Sequence, residues 1–206
     1  LMREQASRDY HDELGHKLTR IALYSRRINK KLRPSANGLT EDLNSIVDTT
    51  NSLQSGAKDL IWAMNPHEDS LYDLAVRLRD FGNELFDNTG INFFTRGISD
   101  EYRSTILSMN CKRHLIYIFK EGMNNVLKYA QCENVTLDFF ISKDEVDITM
   151  KDDGKGFDID TCIKGYGLKN IFIRASQINS VVNIISDENS GTILELKTKI
   201  SNLITA

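Results

Sequence analysis

The 206-residue chain is 40% hydrophobic and 27% charged, with a formal net charge of −3. This composition suits one large or two small globular domains and gives no general electrostatic attraction to nucleic acid. Three cysteines, Cys111, Cys132 and Cys162, lie far apart with no CxxC spacing, which argues against a disulfide framework or a cysteine-built metal site and suits a reducing compartment.

The apolar period changes near Pro66, and two helices are predicted before it. In the first, Leu14, Ile21 and Ile28 repeat every seven residues, and Leu18 and Leu32 are spaced by seven around Ser25. The stretch "RPSANG" (33–38) breaks the pattern. The second helix repeats Leu39, Ile46, Leu53 and Leu60, with Leu43, Ala57 and Met64 on the companion heptad position. Two seven-residue seams joined by a short turn predict an antiparallel hairpin of coiled-coil type, and pairing of two chains into a four-helix bundle would cover both.

Pro66 stops the second helix. A third amphipathic helix is predicted from Leu71 to about Phe86, followed by "INFFTRGI". Next come a helix from about Lys112 to Ala130, strands near 135–142 and 146–152, a helix near 168–178, and strands near 181–186 and 192–200. Helices mixed with hairpin-linked strands predict an α+β two-layer sandwich. The expected domains are therefore a helical hairpin at 1–66 and one α/β domain at 67–206. No apolar run approaches the roughly 18–20 residues that cross a bilayer, and there is no signal peptide. Because Leu1-Met2 leads at once into helical sequence, the expectation is a piece of something longer.

Three stretches could carry chemistry. In "KEGMNNVLKYAQ" (120–131), about 100° per residue puts Leu115, Ile118, Phe119, Gly122 and Val126 on an apolar stripe. Glu121, Asn125 and Lys128 fall together on its flank. A carboxylate, an amide oxygen and an ammonium there could hold hydrated Mg²⁺ and the phosphates it bridges, since Mg²⁺ takes hard oxygen ligands and keeps several waters. A solvated helix face is the plain alternative. In "VDITMKDDGKGFD" (146–158), strand alternation places Asp152 with Val146, Ile148 and Met150 on the buried side. A carboxylate there needs a donor, for which the exocyclic amine of adenine is suited, and Gly154 and Gly156 would let backbone approach a flat base. A polar Asp-Gly loop is the alternative. "GYGLKN" (165–170) opens a helix whose free N–H groups could meet an anion, or is simply a helix start. Thr192, in phase with Leu194 and Leu196, faces the same interior as Asp152, where its hydroxyl could bond the base or merely a backbone carbonyl.

Taken together, these stretches resemble the catalytic domain of sensor histidine kinases, of the ATPase superfamily shared with gyrase, Hsp90 and MutL. "EGMNNVLKYA" resembles the N box, "DDGKGF" the G1 box and "GYGLKN" the G2 box, in the right order over roughly 71–200. "SRDYHDELGHKLTRI" (7–21) resembles the phosphoacceptor helix of the subgroup paired with helix-turn-helix response regulators, whose H-D-x-L-G run falls on His11 and Asp12.

The resemblance implies a homodimer that moves the γ-phosphoryl of Mg-ATP to His11 and then to an aspartate of a response regulator. By position it makes Asn125 the Mg²⁺ ligand and Glu121 a neighbouring acid. Lys128 and Tyr129 would face phosphate, and Asp152 the adenine. Gly154, Gly156, Gly165 and Gly167 would shape the lid, and Leu168 would contact the nucleotide. Asp12 would orient or deprotonate the imidazole. It also implies the cytoplasmic part of a membrane-anchored sensor, with no direct nucleic-acid partner. Tyr129 stands where the subgroup often has histidine. His16 stands where a glutamine commonly positions water, so the resemblance carries kinase activity and leaves phosphatase activity open. Arg20, Arg26, Arg27 and Lys30 form either a solvated face or an electrostatic lure for an acidic regulator. Two rivals remain: a related ATPase or anti-sigma-type serine kinase in which His11 is incidental, and a non-catalytic dimeric interaction module.

Overall fold

The computed structural model describes residues 21, 23–25, 28, 37–159, 166–188 and 190–204. The chain divides into two compact units, Leu1–Glu68 and Asp69–Ala206. In the first, residues 21, 23–25 and 28 are helical, and α1 runs over Asn37–Met64. The two heptad lines of each arm have different fates. Ser25, Leu43 and Thr50 are buried, whereas Ile21, Ile28, Ile46 and Leu53 are 44–58% exposed. Thr50, a polar residue on the buried line, donates its hydroxyl to the Ile46 carbonyl at 2.7 Å, which removes the cost of burying it.

The second unit begins with α2 (Leu71–Phe86). Ser70 caps it reciprocally: its hydroxyl accepts the Asp73 N–H at 3.1 Å, and the Asp73 carboxylate accepts the Ser70 N–H at 3.0 Å. Next come β1 (Asn92–Arg96), a 3₁₀ turn at Asp100–Ser104, and α3 (Met109–Asn125), whose start is capped by Ser108 onto the Cys111 N–H. Then follow β2 (Asn134–Ile141), β3 (Glu145–Asp152), α4 (Tyr166–Ser176), β4 (Val181–Ser186), β5 (Thr192–Lys199) and a short α5 (Ile200–Ile204).

One five-stranded sheet runs in the order β1-β2-β3-β5-β4, antiparallel except for the parallel β1–β2 pair. Alternation along its strands buries Val135, Leu137, Phe139, Val146, Ile148, Met150, Leu194 and Leu196. The buried positions of α2 and α3 (Leu71, Leu74, Leu78, Leu115, Ile118, Phe119) complete the core. This is the two-layer α+β arrangement that the element order predicts.

Two differences from the sequence reading have physical causes. "INFFTRGI" contains β1, whose adjacent Phe93 and Phe94 give no clean alternation. Phe93 packs on Phe86 (centroids 5.5 Å apart), and its ring occupies the space a side chain at Gly82 would need. The helix predicted to Ala130 winds as α only to Asn125 and finishes as a π turn over Val126–Ala130, stopped by Gln131 in the left-handed conformation (φ 54°). Such i→i+5 turns are rare and recur at functional sites.

Lys112, in the first turn of α3, is fully buried, which is unusual for lysine. Its Nζ lies 2.7 Å from Asp69 Oδ1. The same segment is fixed through its backbone: Leu107 N–H donates to the Asp69 carbonyl, and Leu71 N–H to that of Thr105.

Candidate functional site

A cavity of about 500 Å³ opens between the C-terminal half of α3, the start of α4 and the adjoining ends of β3, β4 and β5. That is the size of a small-molecule site. One wall is Glu121, Asn125, Lys128 and Tyr129; the far end is Asp152 and Thr192; Gly156, Gly167 and Leu168 border it. Residues taken from three separate motifs thus line one space. The predicted apolar stripe of α3 is indeed buried, and its turn at Gly122 fits because a Cβ there would stand 2.7 Å from the Met150 methyl and 3.0 Å from Leu194.

The adjacent asparagines separate cleanly. Asn124 turns back on its own helix, its amide donating to the Lys120 carbonyl at 2.7 Å, while Asn125 lines the cavity at the junction of α3 and the π turn. A side chain on Gly167 would run into the Glu121 carboxylate, so α4 begins directly against that acid. A carboxylate is favoured at a helix N-terminus.

The two aspartates of "DDG" also part company. Asp153 points outward and accepts the Glu133 and Asn134 N–H groups, both at 2.9 Å, and the Asn134 amide at 2.7 Å. The Asn134 backbone and side chain hold its carboxyl below the usual aspartate range. Asp152 points inward and is 1% exposed. Burial pushes its pKa above the usual value, against the opposing pull of the Gly154 N–H and of Thr192. Its Oδ1 accepts the Gly154 N–H at 2.9 Å, and among the described residues its buried Oδ2 has no hydrogen-bond partner. A buried acceptor without a donor is costly unless a ligand supplies one.

Gly156 lines the cavity with φ +61°, and a side chain there would meet the Asp187 carbonyl, so backbone alone fits. Gly154 does not line the cavity. It packs against the Ala130 carbonyl, which accepts the Lys155 N–H at 2.9 Å and so ties the loop to the π turn. His11, Asp12, His16, Gly165, Arg20, Arg26, Arg27 and Lys30 lie outside the described residues.

Residues that the sequence reading left out also line the cavity. Met150, Ile171, Ile184 and Leu194 form its apolar floor, and Lys155 adds a second ammonium to the lining. Strand phase with Asp152 and Thr192 marks Met150 and Leu194; Lys155 stands inside the quoted "DDGKGF". Nothing local marks Ile184. Among the described residues, no group of three or more His, Cys, Asp or Glu is arranged to hold a metal ion, and no helix is long and apolar enough to cross a membrane.

Residues 3–69 match a family model described as histidine kinase, HisKA_3. The chain is similar to the sensor histidine kinase LiaS of Bacillus subtilis, with 24% identity over 199 residues covering 96% of this chain and 54% of that protein. It is similar to the sensor protein VraS of Staphylococcus epidermidis at 25% identity, covering 95% of this chain and 54% of that protein. It therefore spans about half the length of these relatives. In fold it is similar to the histidine kinase domain of a blue-light activated histidine kinase of Erythrobacter litoralis EL346 (TM-score 0.58, 13% identity, 90% of this chain and 97% of that one). The Acinetobacter baumannii histidine kinase AdeS is also similar (TM-score 0.55, 12% identity, 92% and 98%). The matched N-terminal segment and the relatives aligned along nearly the whole chain make it similar to sensor histidine kinases, and its fold is that of histidine kinase domains.

Proposed function

We propose that this chain is a histidine kinase core that phosphorylates itself with Mg-ATP and passes the phosphoryl group to a response regulator. The observation carrying this reading is the single cavity in which Asn125, Glu121 and Lys128 face a buried Asp152 whose Oδ2 has no partner among the described residues. Asp152 would accept the adenine amine over the apolar floor. Lys128, Tyr129 and Lys155 would meet phosphate oxygens. Asn125 would give one oxygen to Mg²⁺, which would arrive with the nucleotide, and Glu121 would hold its water. The ion would supply charge neutralisation on the phosphates.

In the reaction, an imidazole nitrogen of His11 forms a bond to the γ-phosphorus as the bond from that phosphorus to the ADP oxygen breaks. The ring proton passes to Asp12. The N–P bond then breaks as an aspartate oxygen of the regulator takes the phosphoryl group. Such transfer relies mainly on alignment and charge neutralisation. It would proceed on the cytoplasmic side, where ATP and the regulator are found.

The test is incubation with γ-labelled ATP. Wild type is expected to acquire acid-labile, alkali-stable label, and His11→Gln none. Label persisting in His11→Gln would instead favour a serine kinase or ATPase in which His11 is incidental.

The second part of the proposal is a homodimer. Its support is the exposed heptad line of each arm, Ile21 and Ile28 on one and Ile46 and Leu53 on the other, which a second hairpin would cover. Replacing Ile46 and Leu53 together by aspartate is expected to give a monomer in sedimentation equilibrium at concentrations where wild type is dimeric. An unchanged mass would rule out this seam as the interface.

A further inference from the structure

At the inner end of the cavity, strand register sets Ser186, Thr192 and Asp152 side by side across β4, β5 and β3. Ser186 is buried, and its hydroxyl has three neighbours: the Phe157 N–H at 2.9 Å, the Gly191 carbonyl at 3.0 Å and the Thr192 hydroxyl at 3.2 Å. A serine hydroxyl offers one hydrogen and two lone pairs. An amide N–H only donates and a carbonyl only accepts. The Ser186 hydrogen therefore goes to Gly191, one lone pair takes the Phe157 N–H, and the Thr192 hydroxyl can only donate into the other.

The consequence lies on Thr192. Its hydroxyl lies within reach of Asp152 and helps to lower that carboxyl's pKa, but the contact with Ser186 at 3.2 Å is the one that meets hydrogen-bond geometry, and Asp152 Oδ2 has no partner among the described residues. With its hydrogen held by Ser186, Thr192 presents only lone pairs to the cavity. Among the described residues, the buried end of the site then offers two acceptors, Thr192 Oγ1 and Asp152 Oδ2, and the Thr192 hydrogen is turned away.

We propose that Ser186 is a positioning residue for base selectivity: it holds the Thr192 hydroxyl so that the site admits a purine with an amino group at position 6 and disfavours one with a carbonyl there. This rests on the nucleotide reading above. A 6-amino group donates to both acceptors, whereas a 6-oxo group sets its lone pairs against theirs and leaves buried groups unmatched. Removing the Ser186 hydroxyl frees Thr192 to rotate and donate, either to Asp152 or to a 6-oxo base, and each outcome erodes the preference.

The test is calorimetric titration of the full chain with adenosine diphosphate and inosine diphosphate in the presence of Mg²⁺. Wild type should prefer adenosine diphosphate. Ser186→Ala should narrow the ratio of the two affinities about 5-fold, the size of one hydrogen bond, and Ser186→Thr should restore it. Equal weakening of both ligands, or an unchanged ratio, overturns the proposal, because a merely structural serine would move both alike. Should Ser186→Ala not fold, Ser186→Cys is read by the same criterion. A wild type that binds both nucleotides equally also overturns the proposal, whereas one that binds neither overturns the nucleotide reading itself, and either outcome appears before any variant is measured.

Discussion

Replacing Asp152 by asparagine is expected to weaken binding of adenosine diphosphate about 100-fold, or about 2.7 kcal/mol, without lowering the stability of the fold. The amide keeps an oxygen for the Gly154 N–H, which Oδ1 accepts at 2.9 Å, so the loop stays anchored. Where Oδ2 now stands without a partner among the described residues, the variant places an NH₂ group. That group would meet the adenine amine donor to donor, inverting the recognition.

Stability should move the other way, and the sign follows from linkage. The folded-state pKa of Asp152 is raised above its ordinary value of 3.8, chiefly by burial. The folded chain therefore holds this proton more tightly than the unfolded chain. The group's contribution is most favourable in acid and declines as pH rises through 3.8 toward the folded value. At neutral pH the buried charge is a cost that asparagine removes. Thermal unfolding at pH 7 should show the variant at least as stable as wild type, while calorimetry shows the affinity lost. A variant that binds as tightly as wild type would leave Asp152 no part in recognising the base.

A comparably large effect, on stability alone, is expected at Asp69. Its Oδ1 lies 2.7 Å from the ammonium of Lys112, a side chain with no exposed surface. Asp69→Ala removes that countercharge and should cost roughly 3–5 kcal/mol, the range found when one member of a buried pair is deleted. Changing Lys112→Met together with Asp69→Leu should recover most of the loss, because an apolar pair of similar volume carries no charge to desolvate. Scanning calorimetry of the full chain checks both. The exposed Arg103–Asp100 pair (2.9 Å; side chains 56% and 83% exposed) supplies the contrast, and Asp100→Ala should leave the transition essentially in place. Equal shifts for Asp69→Ala and Asp100→Ala would show that burial adds nothing to the Lys112 pair.

Much of this molecule was legible in the linear chain because its signals are local. α2 was predicted from Leu71 to about Phe86 and runs Leu71–Phe86, since Ser70 and Asp73 form a capping box within one turn. The inward side of β3 followed from period-two alternation that ends on Asp152. Glu121, Asn125 and Lys128 were placed on one flank of a helix from rotation alone, and all three line the cavity, even though the last turn widens into a π turn. What was missed depends on distant partners. β1 exists because Asn92–Arg96 pairs in parallel with Asn134–Asp138, more than 40 residues away in the chain, and its two adjacent phenylalanines suggest no strand.

From the sequence by itself came the kinds of chemistry on offer and the face of each element that carries them, because periodicity and capping act within a few residues. Only the tertiary structure decided that the faces meet. It left Asp152 Oδ2 without a partner among the described residues while Asp153, its neighbour in the chain, is satisfied from outside, and it brought Ser186, Thr192 and Asp152 abreast across three strands. Which buried atoms keep their hydrogen bonds depends on strand register and on the close approach of backbone segments, and neither is encoded in a local stretch of residues.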